Sequence, residues 1–307
     1  LTMWRTVSLI LALGCFLVLS AFTYDGPVQV VRFSDDEANG LGFIREGAGH
    51  GPLRLLASDT ALYLLARLDH RLYTFDLRGM VIDSLDLHFC PGDMTYDDED
   101  RFHLLQFRVQ PEFVAVYSGG EEIERREFDP PENRLMTEIC FSPEGEVLLL
   151  AGGYTYRIVA GETKDILFAA GERPGRFHLT NTHIGRIVDS WQAEFSGETS
   201  RGPVTSFKLD PLDRELFQFL TDDRAGRIYI VGTSIQTDEE GGSYIARRLL
   251  VFKNGKLLTE LRGIAPGHSS YDYANHDIAV APSGDLYLWM TRFSEGFSEI
   301  LYFKSVQ

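Results

Sequence analysis

Three observations predict that this chain folds as an all-β ring of repeated sheets. Almost everything after residue 27 alternates with a period of two, rich in strand formers and interrupted by Gly, Asp, Asn and Pro, with no sustained helical periodicity. A unit of short strand, polar turn and strongly apolar strand occurs six times, starting at Leu55, Met94, Ile139, Leu179, Leu220 and Ile278. The starts lie about 45 residues apart on average, the period of a four-stranded propeller blade. At 307 residues the chain also exceeds the ~250–300 at which single cores stop growing. Together these predict a six-bladed β-propeller with four-stranded blades, spanning residues 23–307.

Each unit supplies the inner strand, a turn and the second strand of a blade. Third strands are expected at RLYTFDLRG (71–79), EFVAVYSGG (112–120), RLLVFKNGK (248–256) and EILYFKS (299–305). Outer strands follow at VIDSLDL (81–87), IERREF (123–128), KDILFA (164–169), PVTSFKL (203–209) and LLTELRG (257–263). Gly119-Gly120 and Asn254-Gly255 suit the tight hairpins between third and outer strands, because those turns need positive φ. The fourth unit is the least regular. The longest interval between units contains an insertion, TDEEGGS at 237–243, expected at a hairpin tip. The sixth unit lacks an outer strand, and PVQVVRF at 27–33 has the alternation to complete it from the other end of the chain. Such pairing closes the ring and removes two sheet edges.

The first 22 residues read as a signal peptide: Arg5 precedes an apolar run from Val7 to Phe22, with small residues at Ser20 and Ala21. Cleavage after Ser20 is expected. The run is shorter than the ~20 residues of a spanning helix, yet an uncleaved anchor stays open as an alternative. The expected location is therefore periplasmic or extracellular, membrane-anchored if the segment is retained, with no membrane span after cleavage. The formal charge is −16, which disfavours nucleic acid and anionic lipid and favours cationic partners. Cys90 and Cys140 are the two cysteines after residue 22, too few for a disulfide scaffold, and both are expected to be unpaired.

The links between outer and inner strands are rich in glycine: REGAGHGPLRL (45–55), AGERPGRFHL (170–179) and GIAPGHSSYDYANHDIAV (263–280). With turns such as DDRAGRIYIV and APSGDLYLW, they resemble the repeats of NHL-type six-bladed propellers over residues 27–307. The resemblance implies a binding scaffold, a sensor or, in a few members, a lyase. None of these links is a phosphate loop, because each opens a strand and not a helix.

Candidate chemistry concentrates at these links. Tyr271, Asp272, Tyr273, Asn275 and His276 combine aromatic bodies with hydrogen-bonding tips, a composition suited to a protein or glycan partner. Trp191, Arg292, His178, Tyr154 and Tyr156 are expected near the same face. His50, His88 and His268 fall near links as well, without paired metal spacing. The gluconolactonase family of propellers, a resemblance by architecture, holds a divalent metal with Glu, Asn and Asp. Glu138, Asn181 and Asp277 stand near inner-strand starts, but their spacing departs from that family's motifs. The acidic runs Asp35-Asp36-Glu37, Asp97-Asp98-Glu99-Asp100, Asp222-Asp223 and Asp238-Glu239-Glu240 lack a Ca²⁺-loop pattern and read as solvated turns. There is no GxSxG nucleophile elbow.

The expectation is a monomeric, exported, non-catalytic binding or scaffolding propeller. It would engage a protein or glycan through its channel face, with no cofactor. The alternative is a metal-dependent hydrolase or lyase with Ca²⁺ or Zn²⁺ in the central channel.

Overall fold

A computed structural model describes residues 22–34, 54–66, 70–97, 99–106, 110–130, 136, 138–141, 146–151, 154–159, 162–166, 177–184, 190–199, 202–209, 215–237, 243–262, 264, 277–292 and 297–306. Every regular element among them is a β-strand. The chain opens with β1 (Thr23–Ser34). The first sheet is β2 (Arg54–Ala57), β3 (Ala61–Ala66), β4 (Arg71–Asp76) and β5 (Val81–Asp86). The second is β6 (Pro91–Tyr96), β7 (Phe102–Gln106), β8 (Glu112–Ser118) and β9 (Glu121–Phe128). The third is β10 (Glu138–Phe141), β11 (Val147–Ala151), β12 (Tyr154–Val159) and β13 (Glu162–Ile166). The fourth has three strands, β14 (Phe177–Ile184), β15 (Ser190–Thr199) and β16 (Gly202–Leu209). The fifth is β17 (Leu216–Asp222), β18 (Ile228–Thr237), β19 (Ser243–Lys253) and β20 (Lys256–Arg262). The sixth joins β21 (Ile278–Val280), β22 (Leu286–Arg292) and β23 (Phe297–Val306) to β1.

All pairings are antiparallel, and among the described residues the fifth, sixth, first, second and third sheets stack face to face in turn. Leu286, Leu288 and Phe303 of the sixth sheet pack on Tyr229, Val231 and Leu249 of the fifth. Trp289, Tyr287 and Ala279 of the sixth pack on Leu62, Leu64 and Phe75 of the first. Leu65 and Leu72 continue to Met94, Leu104 and Ala115 of the second, and Leu105, Val114 and Phe128 to Ile139, Leu149 and Tyr156 of the third. The innermost strands β21, β2, β6 and β10 are spatial neighbours in turn, as are β14 and β17. The arrangement is propeller-like. It explains the sequence pattern: a middle strand such as β8 is covered on both faces and is apolar almost throughout, whereas β5 and β9 are exposed along nearly their whole length and carry more polar residues. Asn254-Gly255 and Gly119-Gly120 take positive φ in the hairpins that need it.

The strand expected at 27–33 is β1, longer at both ends, and it pairs with β23 from Thr23↔Val306 to Ser34↔Phe297. Its buried side chains differ from the alternation-based expectation. Val28 is 58 % exposed, while Val31 is buried, because register shifts on either side of Val28-Gln29 break the alternation. Phe22, placed by sequence at the end of the signal segment, is buried against the fifth sheet. Residues 1–21 lie outside the described residues. Among the described residues no helix is long and apolar enough to cross a membrane.

The fourth sheet corrects a second expectation. PVTSFKL forms the third strand of this sheet, not an outer fourth one, and 185–189, between β14 and β15, lie outside the described residues. The insertion behaves as expected at its base: β18 and β19 pair out to Thr237↔Ser243, and 238–242 lie outside the described residues. Cys90 is half-buried and free, directly before β6; the side chain of Cys140, on the neighbouring β10, is not described.

Candidate functional site

The first strands β21, β2, β6 and β10 lie side by side, and charged side chains fix both ends of several first strands. At the strand starts, Asp277 precedes β21 and is fully buried. Arg247 of β19 donates to it from Nη1 at 2.8 and 2.9 Å and from Nη2 at 3.2 Å, joining the fifth sheet to the sixth. Burial pulls the Arg247 guanidinium below its ordinary proton affinity, and Asp277 opposes that pull. Beside it, Arg248 donates from Nε and Nη2 to Glu215 at 2.8 and 2.6 Å. Gly232 leaves room for this pair, since a Cβ there would overlap the Glu215 carboxylate. Asp93 of β6 is also fully buried, and its Oδ2 accepts the Ile139 N–H of β10 at 2.9 Å.

At the other end, the turns between first and second strands share one device. Asp97 accepts the N–H groups of Glu99 and Arg101 at 2.9 and 3.0 Å and the Arg101 Nε–H at 2.8 Å, with His103 Nε2 at 3.0 Å. Asp223 repeats the pattern with the N–H groups of Ala225 and Arg227, the Arg227 side chain and the Tyr229 hydroxyl. Burial opposes ionisation of Asp97, but the hydrogen bonds from His103, Arg101 and Glu99 outweigh it and hold the carboxyl well below the usual range. Two of the acidic runs read as solvated turns are thus organised around aspartates that anchor the turn, and Asp223 is buried. The signal was present as D-x-x-x-R-x-[HY] at 97–103 and 223–229. Arg227 continues to the Ser283 carbonyl at 2.7 Å, tying the fifth sheet's turn to the sixth's.

Between these ends the channel holds a cavity of about 410 Å³, within the usual range for a small-ligand site. The inner strands of the first, second, fifth and sixth sheets line it. Its polar groups include Arg54, Thr95, Tyr96, Thr221, Asp222 and Arg224, weighted toward strand ends and the turns that follow. Arg224 reaches across to Asp59 at 2.6 Å, from the fifth sheet's turn to the first's.

The residues expected to form the site are placed as follows. Tyr271, Asp272, Tyr273, Asn275 and His276 lie outside the described residues, in a link that leaves buried Ile264 and re-enters at buried Asp277. His178 and Asn181 are on β14, Trp191 on β15, Tyr154 on β12 and Arg292 on β22, with side chains not described. Tyr156 is buried in the core between the second and third sheets, which removes it from any partner surface. Glu138 opens β10 and is half-buried. Both Asp277 oxygens are engaged by Arg247, so a cation there would have to displace a buried guanidinium. Among the described residues no group of three His, Cys, Asp or Glu side chains is arranged to hold a metal. Sequence reasoning missed Arg54, Thr95, Tyr96, Thr221 and Arg224, because nothing in their spacing marks them as neighbours.

No described protein family and no curated protein matches the chain in sequence. Among solved structures it is similar to a member of the DUF4221 family from Bacteroides vulgatus, with a TM-score of 0.52 and 12 % identity over 93 % of this chain and 99 % of that one. It is also similar to a virginiamycin B lyase from Staphylococcus aureus (TM-score 0.44, 14 % identity, 93 % of this chain and 88 % of that one). A third likeness is to BamB from Moraxella catarrhalis (TM-score 0.40, 9 % identity, 90 % of this chain and 100 % of that one). The first likeness shows the fold alone, and the other two are too distant to carry an argument. Stacked antiparallel sheets around a channel, and a fold shared end to end with the first of these structures, make this chain an all-β protein of the propeller type.

Proposed function

We propose that the chain is a six-bladed, NHL-type propeller, exported from the cytoplasm, that serves as a non-catalytic binding or scaffolding module. Six separate sheets among the described residues, the sixth completed by β1, support the blade count. The observation that carries the functional reading is the channel cavity, enclosed by four inner strands and lined by paired charges and hydroxyls. Carboxylates that a metal hydrolase would need are committed to arginines here: Asp277 to Arg247, Glu215 to Arg248, Asp223 to Arg227. Ile264 and Asp277, which flank residues 265–276 in the sequence, are both buried, and the segment between them carries Tyr271, Tyr273 and His276. That link is the surface for a protein or glycan partner. The acidic charge, −16, favours a partner of positive charge.

A photo-cross-linking residue at Tyr271 or Tyr273 is expected to trap a discrete partner in intact cells, and one at Glu121 on the outer strand β9 is not. Added Ca²⁺ or Zn²⁺ is expected to leave the melting temperature unchanged. A tight metal site would stabilise by about 2.7 kcal/mol at a hundredfold excess over Kd, and metal-dependent lactone hydrolysis would contradict the reading.

A further inference from the structure

We infer that the channel cavity is a recognition site for a neutral saccharide of mono- or disaccharide size, with Arg54 as its principal hydrogen-bond donor. The inference rests on reading the chain as a binding propeller, and it places a small ligand inside the channel, apart from the link at 265–276.

Arg54 opens β2 and lines the cavity with 24 % of its side chain exposed. Among the described residues its one charged neighbour is Asp93, with Nη1 to Oδ1 at 3.7 Å, too long for a hydrogen bond. It makes no hydrogen bond to a described residue. Arg227, Arg247 and Arg248 differ: each is held by a carboxylate at hydrogen-bonding distance. A guanidinium carries five N–H donors in a fixed plane. Arg54 therefore lines the cavity as a planar donor array not committed to a described acceptor.

Charge selects the ligand class. The cations near the cavity stand beside carboxylates, Arg54 by Asp93, Arg224 by Asp59 and Arg227 by Asp223. Asp222 lines the cavity as well, and the whole chain carries −16. Among the described residues, a phosphate or a carboxylate entering this space meets fixed negative charge with no surplus cation to offset it. A neutral polyol meets the complement it needs. Arg54 donates to adjacent hydroxyl oxygens, the Asp222 carboxylate accepts, the Thr95 hydroxyl accepts or donates, the Thr221 oxygen, whose proton goes to the Asp222 carbonyl, accepts, and the Tyr96 ring offers an apolar face. Tyr96 is itself supported by the rings of Tyr63 and Phe102 at 5.9 and 6.3 Å, which hold the platform in place.

The test is isothermal titration of the chain with glucose, galactose, mannose, N-acetylglucosamine, maltose and cellobiose, alongside galacturonate and inorganic phosphate. Binding of at least one neutral sugar is expected, with galacturonate and phosphate weaker. Arg54→Ala should weaken that sugar at least tenfold, and Arg54→Lys, which keeps the charge but loses the planar fork, should recover only part. Thr95→Val, milder for folding, should weaken it several-fold, whereas Tyr271→Ala should leave it unchanged. No neutral sugar bound at millimolar concentration overturns the inference, as does an affinity unaffected by Arg54→Ala and Thr95→Val. Tighter binding of galacturonate or phosphate overturns the ligand class. A partner still trapped at Tyr271 in any of these cases leaves the binding-module reading standing, so the two fail separately.

Discussion

Asp277→Ala removes one half of the ion pair that fastens the fifth sheet to the sixth. Both side chains are buried, Arg247 with 0 % and Asp277 with 1 % of the side chain exposed, and three N–H···O contacts join them. The substitution leaves a guanidinium enclosed without its carboxylate, which typically costs about 3–5 kcal/mol. At roughly 2–4 °C per kcal/mol for a domain of comparable size, the melting temperature should fall by about 6 °C or more. Replacing both residues by leucine should recover much of the loss, because burying the pair already carries a desolvation cost that the double variant avoids. Urea denaturation of native, Asp277→Ala, Arg247→Leu and doubly leucine-substituted proteins gives the comparison, with slopes checked for two-state behaviour. A loss under about 1 kcal/mol for Asp277→Ala, or a double variant no better than the sum of the single losses, would refute the reasoning.

Three further outcomes are expected. Phe22 contacts the fifth-sheet core and lies under the Arg227 guanidinium, 4.3 Å from ring centroid to Cζ, so Phe22→Ala should cost about 3 kcal/mol by urea denaturation. Burial pushes the Glu112 carboxyl above its ordinary value, so its contribution favours folding in acid and is lost as pH rises through the raised value; Glu112→Gln should raise the melting temperature at neutral pH and leave it unchanged in acid. Limited proteolysis followed by mass spectrometry should show the first cut within 238–242, beyond the Thr237↔Ser243 pair, before any cut in 55–232.

Much of the fold was legible because local sequence decides it. Each polar turn between two apolar strands forms where the letters place it in the four units whose turns are described, after β2, β6, β17 and β21, and the Asn-Gly and Gly-Gly hairpins follow from the φ they permit. The rest depended on long-range pairing. Nothing in the letters around Phe22 shows that its ring packs under Arg227, 205 positions away. Asp97 and Asp223 look like solvated turn residues until Arg101, His103, Arg227 and Tyr229 fold back on them. Arg247 and Asp277 are separated by 30 positions and meet only because β19 and β21 belong to adjacent sheets. Arg54 and Asp222 come from opposite parts of the chain and share a cavity only once the sheets are gathered. In β1, the letters do not show the register shifts that leave Val28 exposed and Val31 buried.

Pairing of β1 with β23 is the central claim, and truncation tests it most directly. Burial of Phe22 and Val31, with partial burial of Tyr24 and Val30, contributes on the order of 6 kcal/mol as an upper estimate. That is comparable with the ~5–15 kcal/mol net stability of a whole domain. Loss of the strand also bares the edge of β23, where Tyr302, Leu301 and Ile300 pair with Val28, Gln29 and Val31. The measurement is the melting temperature and solution mass of a chain beginning at Phe22 against one beginning at Asn39. The account predicts that the shorter chain is insoluble or melts far lower. Two soluble monomers with equal melting temperatures would show that the amino-terminal strand is no part of the ring.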